Sequence, residues 1–182
     1  MVKRNRVVQC YRNDGTCCEV GCSDYVQIDL VKREKEKNID DVFVLVSRES
    51  LDLVLNFVWY RGGDGYPVGY SIGGRRRRIK MHRLLKSAGE GEVVDHINRD
   101  KLDNRLENLR VCTYKENSYN TSRRNNKFKG VKKVGDQYSA TISKDGERHT
   151  INNIASEQEA AKIYDMMAEQ LFGEFAGKNY QS

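Results

Sequence analysis

The sequence predicts an α+β protein in three stretches: a β-rich segment over residues 1–74, a strand–loop–strand–helix core over 75–122, and a linker leading into a three-stranded sheet with one helix over 123–182. Three observations predict it. The short apolar runs ending at Asp95-His96 and spanning Leu109 to Cys112 are separated by a long polar loop. Thr113-Tyr114-Lys115-Glu116 then has capping-box form, a hydroxyl three residues before a glutamate. Period-two alternation precedes this core, and a hairpin signal followed by a helical apolar stripe comes after it.

Taken in order, Tyr25-Val26-Gln27-Ile28-Asp29-Leu30 alternates cleanly and Val42-Phe43-Val44-Leu45-Val46 less so, which predicts two strands. From Glu49 to Trp59, Leu51, Val54, Leu55 and Val58 fall at helical spacing, with Ser47 or Ser50 available as a cap. A short helix is expected, with Trp59 as a core anchor. Gly62-Gly63-Asp64-Gly65 turns the chain into a strand from Tyr66 to Ile72, and Gly73-Gly74 turns it again into an arm from Arg75 to Met81. The capping box starts a helix at Tyr114 and puts Asn117 on its first turn.

Residues 118–127 read as a polar, basic linker. Strands are expected at Phe128–Val134, Gln137–Ser143 and Arg148–Ile154, the last two joined by Asp145-Gly146, a strong hairpin signal. A helix should then run from Glu157 to about Phe172, opened by Ser156 and ended by Gly173. Its apolar face carries Ala160, Ala161, Ile163, Tyr164, Met167, Ala168 and Leu171.

Ordinary core packing does not ask for Asp95, His96, Asn98, Asn108 and Asn117 together. An Asp-His pair alone reads as a surface turn; with both later asparagines and the capping box, the set resembles the ββα-metal fold of the HNH nucleases, in particular the phage-type HNH homing endonucleases. The likeness extends through Met81-His82-Arg83-Leu84-Leu85, Asp103-Asn104-Arg105 and Asn120. It implies that His96 is the general base, that Asp95 and Asn117 hold one divalent ion, and that Asn108 ties down the loop between the strands as part of the catalytic set. His82 is expected as active-site support.

This chemistry suits phosphodiester hydrolysis. An imidazole can take a proton from water near neutral pH. A carboxylate and an amide oxygen favour Mg²⁺ or Mn²⁺ and leave coordination positions open to phosphate and water.

The net charge is +6, and its distribution says more than its total. Residues 1–13 carry +4, residues 14–56 carry −5, residues 57–74 are neutral, residues 75–133 carry +11 and residues 134–182 carry −4. The basic excess therefore surrounds the candidate phosphodiester site, as a polyanion partner requires. Arg75, Arg76, Arg77, Arg78, Lys80 and Arg83 just before the core, Arg105 within it and Arg123 and Arg124 after it are expected to meet DNA phosphates. The four consecutive arginines also fit a nuclear localisation signal in a eukaryotic protein.

Phe128-Lys129-Gly130-Val131, Tyr138-Ser139-Ala140-Thr141-Ile142, Glu159-Ala160-Ala161, Ile163-Tyr164-Asp165, Phe172-Gly173 and Asn179-Tyr180 resemble the Apetala-type, or ethylene-response-factor, DNA-binding domain. Tyr138 stands where that family commonly has tryptophan, so its base preference does not carry over. The resemblance implies a sheet laid in the major groove, with Lys129, Lys132, Lys133, Gln137, Ser139, Thr141 and Arg148 on its DNA face.

Mean hydropathy is −0.76 and charged residues make up 32%. No long apolar run resembles a membrane span or a secretory signal, so an intracellular protein is expected: host cytoplasm if viral, nucleus if eukaryotic. Cys10, Cys17, Cys18 and Cys22 lack the paired spacing of a zinc knuckle, and reduced thiols are expected there.

The sequence thus reads as a Mg²⁺-dependent homing-type endonuclease acting on double-stranded DNA, and a monomer is compatible with that reading. The rivals are a DNA-binding regulator of the same fold without cleavage, and a structural or RNA-binding phage protein.

Overall fold

The computed structural model describes residues 5–11, 24–32, 40–73, 77–121 and 127–180, which form two compact units, Met1–Cys112 and Thr113–Ser182. Arg75, Arg76, Arg123, Arg124, Cys17, Cys18 and Cys22 lie outside the described residues.

The first unit begins with β1 (Val7–Tyr11), β2 (Tyr25–Asp29) and β3 (Phe43–Ser47), an antiparallel run in which β2 and β3 bury every second residue. Val26, Ile28, Val44 and Val46 supply the buried face. After a single 3₁₀ turn, α1 (Leu51–Leu55) is only five residues long and β4 (Phe57–Arg61) follows almost at once. The helix expected through Trp59 therefore stops early.

Packing decides this against propensity. Helix preferences differ by about 0.7 kcal/mol or less per ordinary residue, whereas truncating a buried tryptophan costs about 3–5 kcal/mol. Trp59 is fully buried, its indole nitrogen donates to the Val54 carbonyl at 2.8 Å, and it pairs across the sheet with Gly69. A Cβ at Gly69 would lie 2.6 Å from the indole, so only glycine leaves room for it. Asn5 fastens the same strand: it accepts from the Trp59 backbone nitrogen at 2.6 Å and donates to the carbonyls of Trp59 and Asp29.

β5 (Pro67–Ser71) and β6 (Arg78–Lys80) complete a three-stranded sheet with β4. The arm expected to continue as strand to Met81 becomes α2 (Met81–Leu85), with Met81 and His82 buried at its start. Then come β7 (Val93–His96), the two-residue β8 (Asp103–Asn104) and β9 (Leu109–Cys112). β7 and β9 pair antiparallel, and the buried Cys112 ends β9. β8, inside the loop between them, pairs parallel with β3 through Leu45–Asp103 and Val46–Asn104.

In the second unit, α3 (Tyr114–Tyr119) opens with a complete Thr113–Glu116 capping box. β10 (Val131–Val134), β11 (Gln137–Lys144) and β12 (Glu147–Ile154) form an antiparallel sheet. Both residues of the Asp145-Gly146 turn have positive φ, as a tight hairpin demands. α4 (Glu157–Phe172), capped by the Ser156 hydroxyl, packs Ala160, Ala161, Tyr164 and Ala168 on Val131, Ala140, Ile142 and Ile154. The Tyr119 ring stacks on Phe172 at 4.0 Å. No helix among the described residues is long and apolar enough to cross a membrane.

Candidate active site

The site in the first unit is built on the end of β7. Strand alternation would put one of Asp95 and His96 outward, yet both are buried, at 7% and 4% exposure. Asp95 faces Arg110 directly across the ladder, and that guanidinium donates twice to Asp95 Oδ2, at 3.0 and 2.6 Å. His96 leans into a cluster of rings: His82 lies 5.2 Å away, Tyr66 lies 5.7 Å away, and those two stand 4.8 Å apart.

Burial holds the His96 imidazole below its ordinary pKa, against the upward pull of the Asn104 carboxamide and the carboxylates of Asp95, Asp103 and Asp100. It is therefore uncharged at neutral pH. Burial and the neighbouring His96 push His82 further, down to about 3. Its Nδ1 is buried without a hydrogen bond, which suits an imidazole that stays neutral. Burial, with the carboxylates of Asp64 and Asp95, keeps the Tyr66 hydroxyl above its usual range and so protonated.

The loop after His96 is fixed from within. Arg99, at φ 66°, donates its backbone nitrogen to the His96 carbonyl at 2.8 Å. Asn108 accepts from the Asn98 backbone nitrogen at 2.9 Å and donates to Asn98 Oδ1 at 3.0 Å and to the Asp103 carbonyl at 2.8 Å. One carboxamide thus holds both ends of the loop, and the Ile97 nitrogen adds a bond to the Asn108 carbonyl. Asp103 in turn binds Asn98 and the Arg105 guanidinium, which keeps its carboxyl low despite burial.

As a donor set, Asp95 offers hard carboxylate oxygen at the end of a strand, which fits a hard divalent ion. Among the described residues no three His, Cys, Asp or Glu side chains gather as ligands. An ion held by Asp95 would keep most positions for water and phosphate. Asn117 stands on the first turn of α3, in the second unit.

The basic residues divide into two groups. Arg77, Arg78, Lys132, Lys133 and Arg148 are exposed. The others are tied into the fold. Arg83 donates to the carbonyls of Ala88, Gly89 and Glu92, closing the turn after α2. Arg105 pairs with Asp103 and Glu107 and stands 4.9 Å from the Tyr25 ring centroid. The Lys129 ammonium donates to the Tyr119 carbonyl at 2.7 Å. Lys80 pairs with Asp64 at 2.7 Å.

On the sheet of the second unit, Thr141 pairs with Thr150 and Ser143 with Arg148. These alternate with Ala140 and Ile142, which α4 covers, and so mark the opposite, open face. Lys132, paired with Ser139, is exposed on that face as well, whereas Ser139, expected on the DNA face, is buried at 6% exposure. Sequence reasoning passed over Tyr66, Asp64, Lys101 and Arg110; their only signal was the glycine-rich turn around Asp64 and the alternation that sets Arg110 opposite Asp95.

Comparison with known proteins gives three findings. Residues 87–119 match the family model described as HNH endonuclease. The chain is 38% identical over 172 residues to a protein of Acanthamoeba polyphaga mimivirus named Uncharacterized HNH endonuclease L560, covering 81% of this chain and 89% of that one. It is 30% identical over 107 residues to Protein 3.8 of Escherichia phage T7, covering 56% of this chain and 88% of that one. No solved structure matches.

Proposed function

Since the chain belongs to the HNH endonuclease family and is a nuclease, we propose that it hydrolyses phosphodiester bonds of double-stranded DNA at preferred sites, with His96 as the general base. HNH nucleases generally use a divalent metal and act on nucleic acid. The observation that carries the reading is the buried, uncharged His96 beside Asp95 at the end of β7. A neutral imidazole accepts the proton of the attacking water, the new P–O bond forms, and the bond to the 3′-oxygen breaks. Asn108 positions the base by holding the loop that starts at Ile97.

Asp95 and, on the sequence pattern, Asn117 would hold the ion, most simply Mg²⁺ or Mn²⁺. When bound it supplies charge relief at the phosphate and the leaving oxygen. Site preference is assigned to the Apetala-like stretch from residue 123 onward. Its open face presents Lys132, Thr141 and Arg148, two phosphate-seeking cations and a small hydroxyl able to reach base edges. Similarity to a mimivirus and a phage protein supports action inside a host cell.

The test is cleavage of supercoiled plasmid with Mg²⁺ or Mn²⁺ and with EDTA. The intact protein should cut only with metal. His96→Ala should lower the rate by about 10²–10⁴-fold while DNA binding persists. Binding without cutting under every divalent ion would make the chain a DNA-binding regulator instead.

A further inference from the structure

Beside His96 the first unit holds a second arrangement, drawn from three separate segments. Asp64 lies in the turn between β4 and β5. Its carboxylate accepts from the Lys80 ammonium at 2.7 Å and its backbone carbonyl accepts from the Lys101 ammonium at 2.8 Å. Both ammonium groups also stand over the Tyr66 ring, 4.5 and 4.6 Å from its centroid, within cation–π range. The Lys101 stem passes over Gly65, whose φ of 86° shapes the turn. Tyr66 in turn packs on His82 and His96.

Two lysines on flexible stems are thus held in fixed places at the edge of the ring cluster that contains the base. A fold that needed only a surface ion pair would use one lysine, since an exposed pair contributes about 0–1 kcal/mol. Here one residue fixes two. The local sum is still positive, one carboxylate against two ammonium groups. Each ammonium commits one of its three N–H donors to Asp64, which leaves donors for oxygen acceptors on a ligand. A phosphodiester has the charge and the oxygens to take them.

We infer that Asp64, Tyr66, Lys80 and Lys101 form a seat for a backbone phosphate of the substrate strand beside the bond attacked by the water that His96 deprotonates. Lys80 and Lys101 hold the phosphate. Asp64 and Tyr66 are positioning residues that fix the two cations relative to the imidazole. This inference rests on the nuclease reading and adds an interaction that places the strand. Preorganised cations bind without the entropy cost of ordering free lysine side chains.

Lys101 is exposed, so its replacement does not threaten the core. The experiment compares the unmodified protein with Lys101→Gln and Lys101→Arg. Binding of a short labelled DNA duplex is measured in EDTA over a series of KCl concentrations, and plasmid cleavage kinetics in Mg²⁺. Lys101→Gln should weaken binding about fivefold to tenfold at low salt. It should reduce the slope of log affinity against log salt by about 0.9, the share of one neutralised phosphate. KM should rise more than kcat falls, and Lys101→Arg should restore the slope. An unchanged slope overturns the seat, as does a loss that arginine fails to restore and that comes with a lower melting temperature. Should the unmodified protein bind duplex but never cut it, the nuclease reading falls while the slope still decides the seat.

Discussion

Arg110 stands directly across the β7–β9 ladder from Asp95, and its Nη2 lies 2.6 Å from Asp95 Oδ2. Both side chains are largely buried, at 11% and 8% exposure. The carboxylate proposed to hold metal therefore comes with a counter-ion in its own hairpin. Removing one partner of a buried pair costs about 3–5 kcal/mol because a charge is left with less compensation. Arg110→Ala should lower stability in EDTA by roughly 3 kcal/mol. Millimolar Mg²⁺ should then recover more of the melting temperature in the variant than in the parent. Thermal melts with and without metal check this; equal recovery would mean that guanidinium and metal do not share Asp95.

Asn108 and Asn117 should fail in different ways. Asn108→Ala strips the loop of three hydrogen bonds, to Asn98 and Asp103, and should cost roughly 1–3 kcal/mol. Asn117→Ala, on the first turn of α3, should leave the melting profile nearly unchanged and abolish Mg²⁺-dependent cleavage. Denaturation curves paired with cleavage rates separate the two. A stable Asn108→Ala protein that merely loses metal affinity would reverse the assigned roles.

His82 gives the first unit a pH dependence. Its folded pKa is about 3, against roughly 6.5 when unfolded, so between those values the unfolded chain binds the extra proton. The contribution is fully present above about pH 6.5 and drains away as pH falls toward 3, by up to about 1.4 kcal/mol per pH unit. His82→Phe keeps an aromatic ring beside Tyr66 and His96 and removes the titration. Between pH 6.5 and 5 the parent should lose roughly 1–2 kcal/mol more than the variant. Urea denaturation at stepped pH reads the difference, and parallel slopes would discard the assignment.

The open face of the second unit is best tested by substitution. A truncation after Asn126 would remove Phe172 from beneath Tyr119 and Lys129 from its carbonyl, disturbing α3 itself. Lys132→Ala with Arg148→Ala should weaken binding across all sequences and lower the salt slope by about 0.9 for each phosphate no longer neutralised. Thr141→Ala should change which sites are cut more than how tightly DNA is held. Mapping cleavage sites at matched salt decides it; identical site distributions would remove the sheet from recognition.

What can be read from sequence here is what is local. Alternation places Tyr25–Asp29, one hydroxyl and one glutamate place the start of α3, and Asp145-Gly146 places a hairpin. Asp95, His96 and Asn108 announce themselves because one loop and its flanks hold all three. Other features depend on partners distant in the chain. Residues 57–59 join a strand because Gly69 leaves space for Trp59, and no periodicity encodes that space. Lys101 and Asp64 meet across 37 residues, and each alone is an ordinary surface charge. His82 is marked as active-site support only by resemblance; its burial against Tyr66 and His96 depends on α2 turning it inward.

The short parallel ladder between β3 and β8 has a consequence for order in time. Leu45 and Asp103 pair across a long stretch of chain, and such non-local closures are slow because loop entropy is lost before the pairing forms. Synthesis runs from the N-terminus, so β3 leaves the ribosome well before β8 exists and can wait as its template. The loop that follows His96 is completed by docking onto that template. A half-made chain therefore lacks the closed loop between β7 and β9, which is complete only once β8 has joined β3.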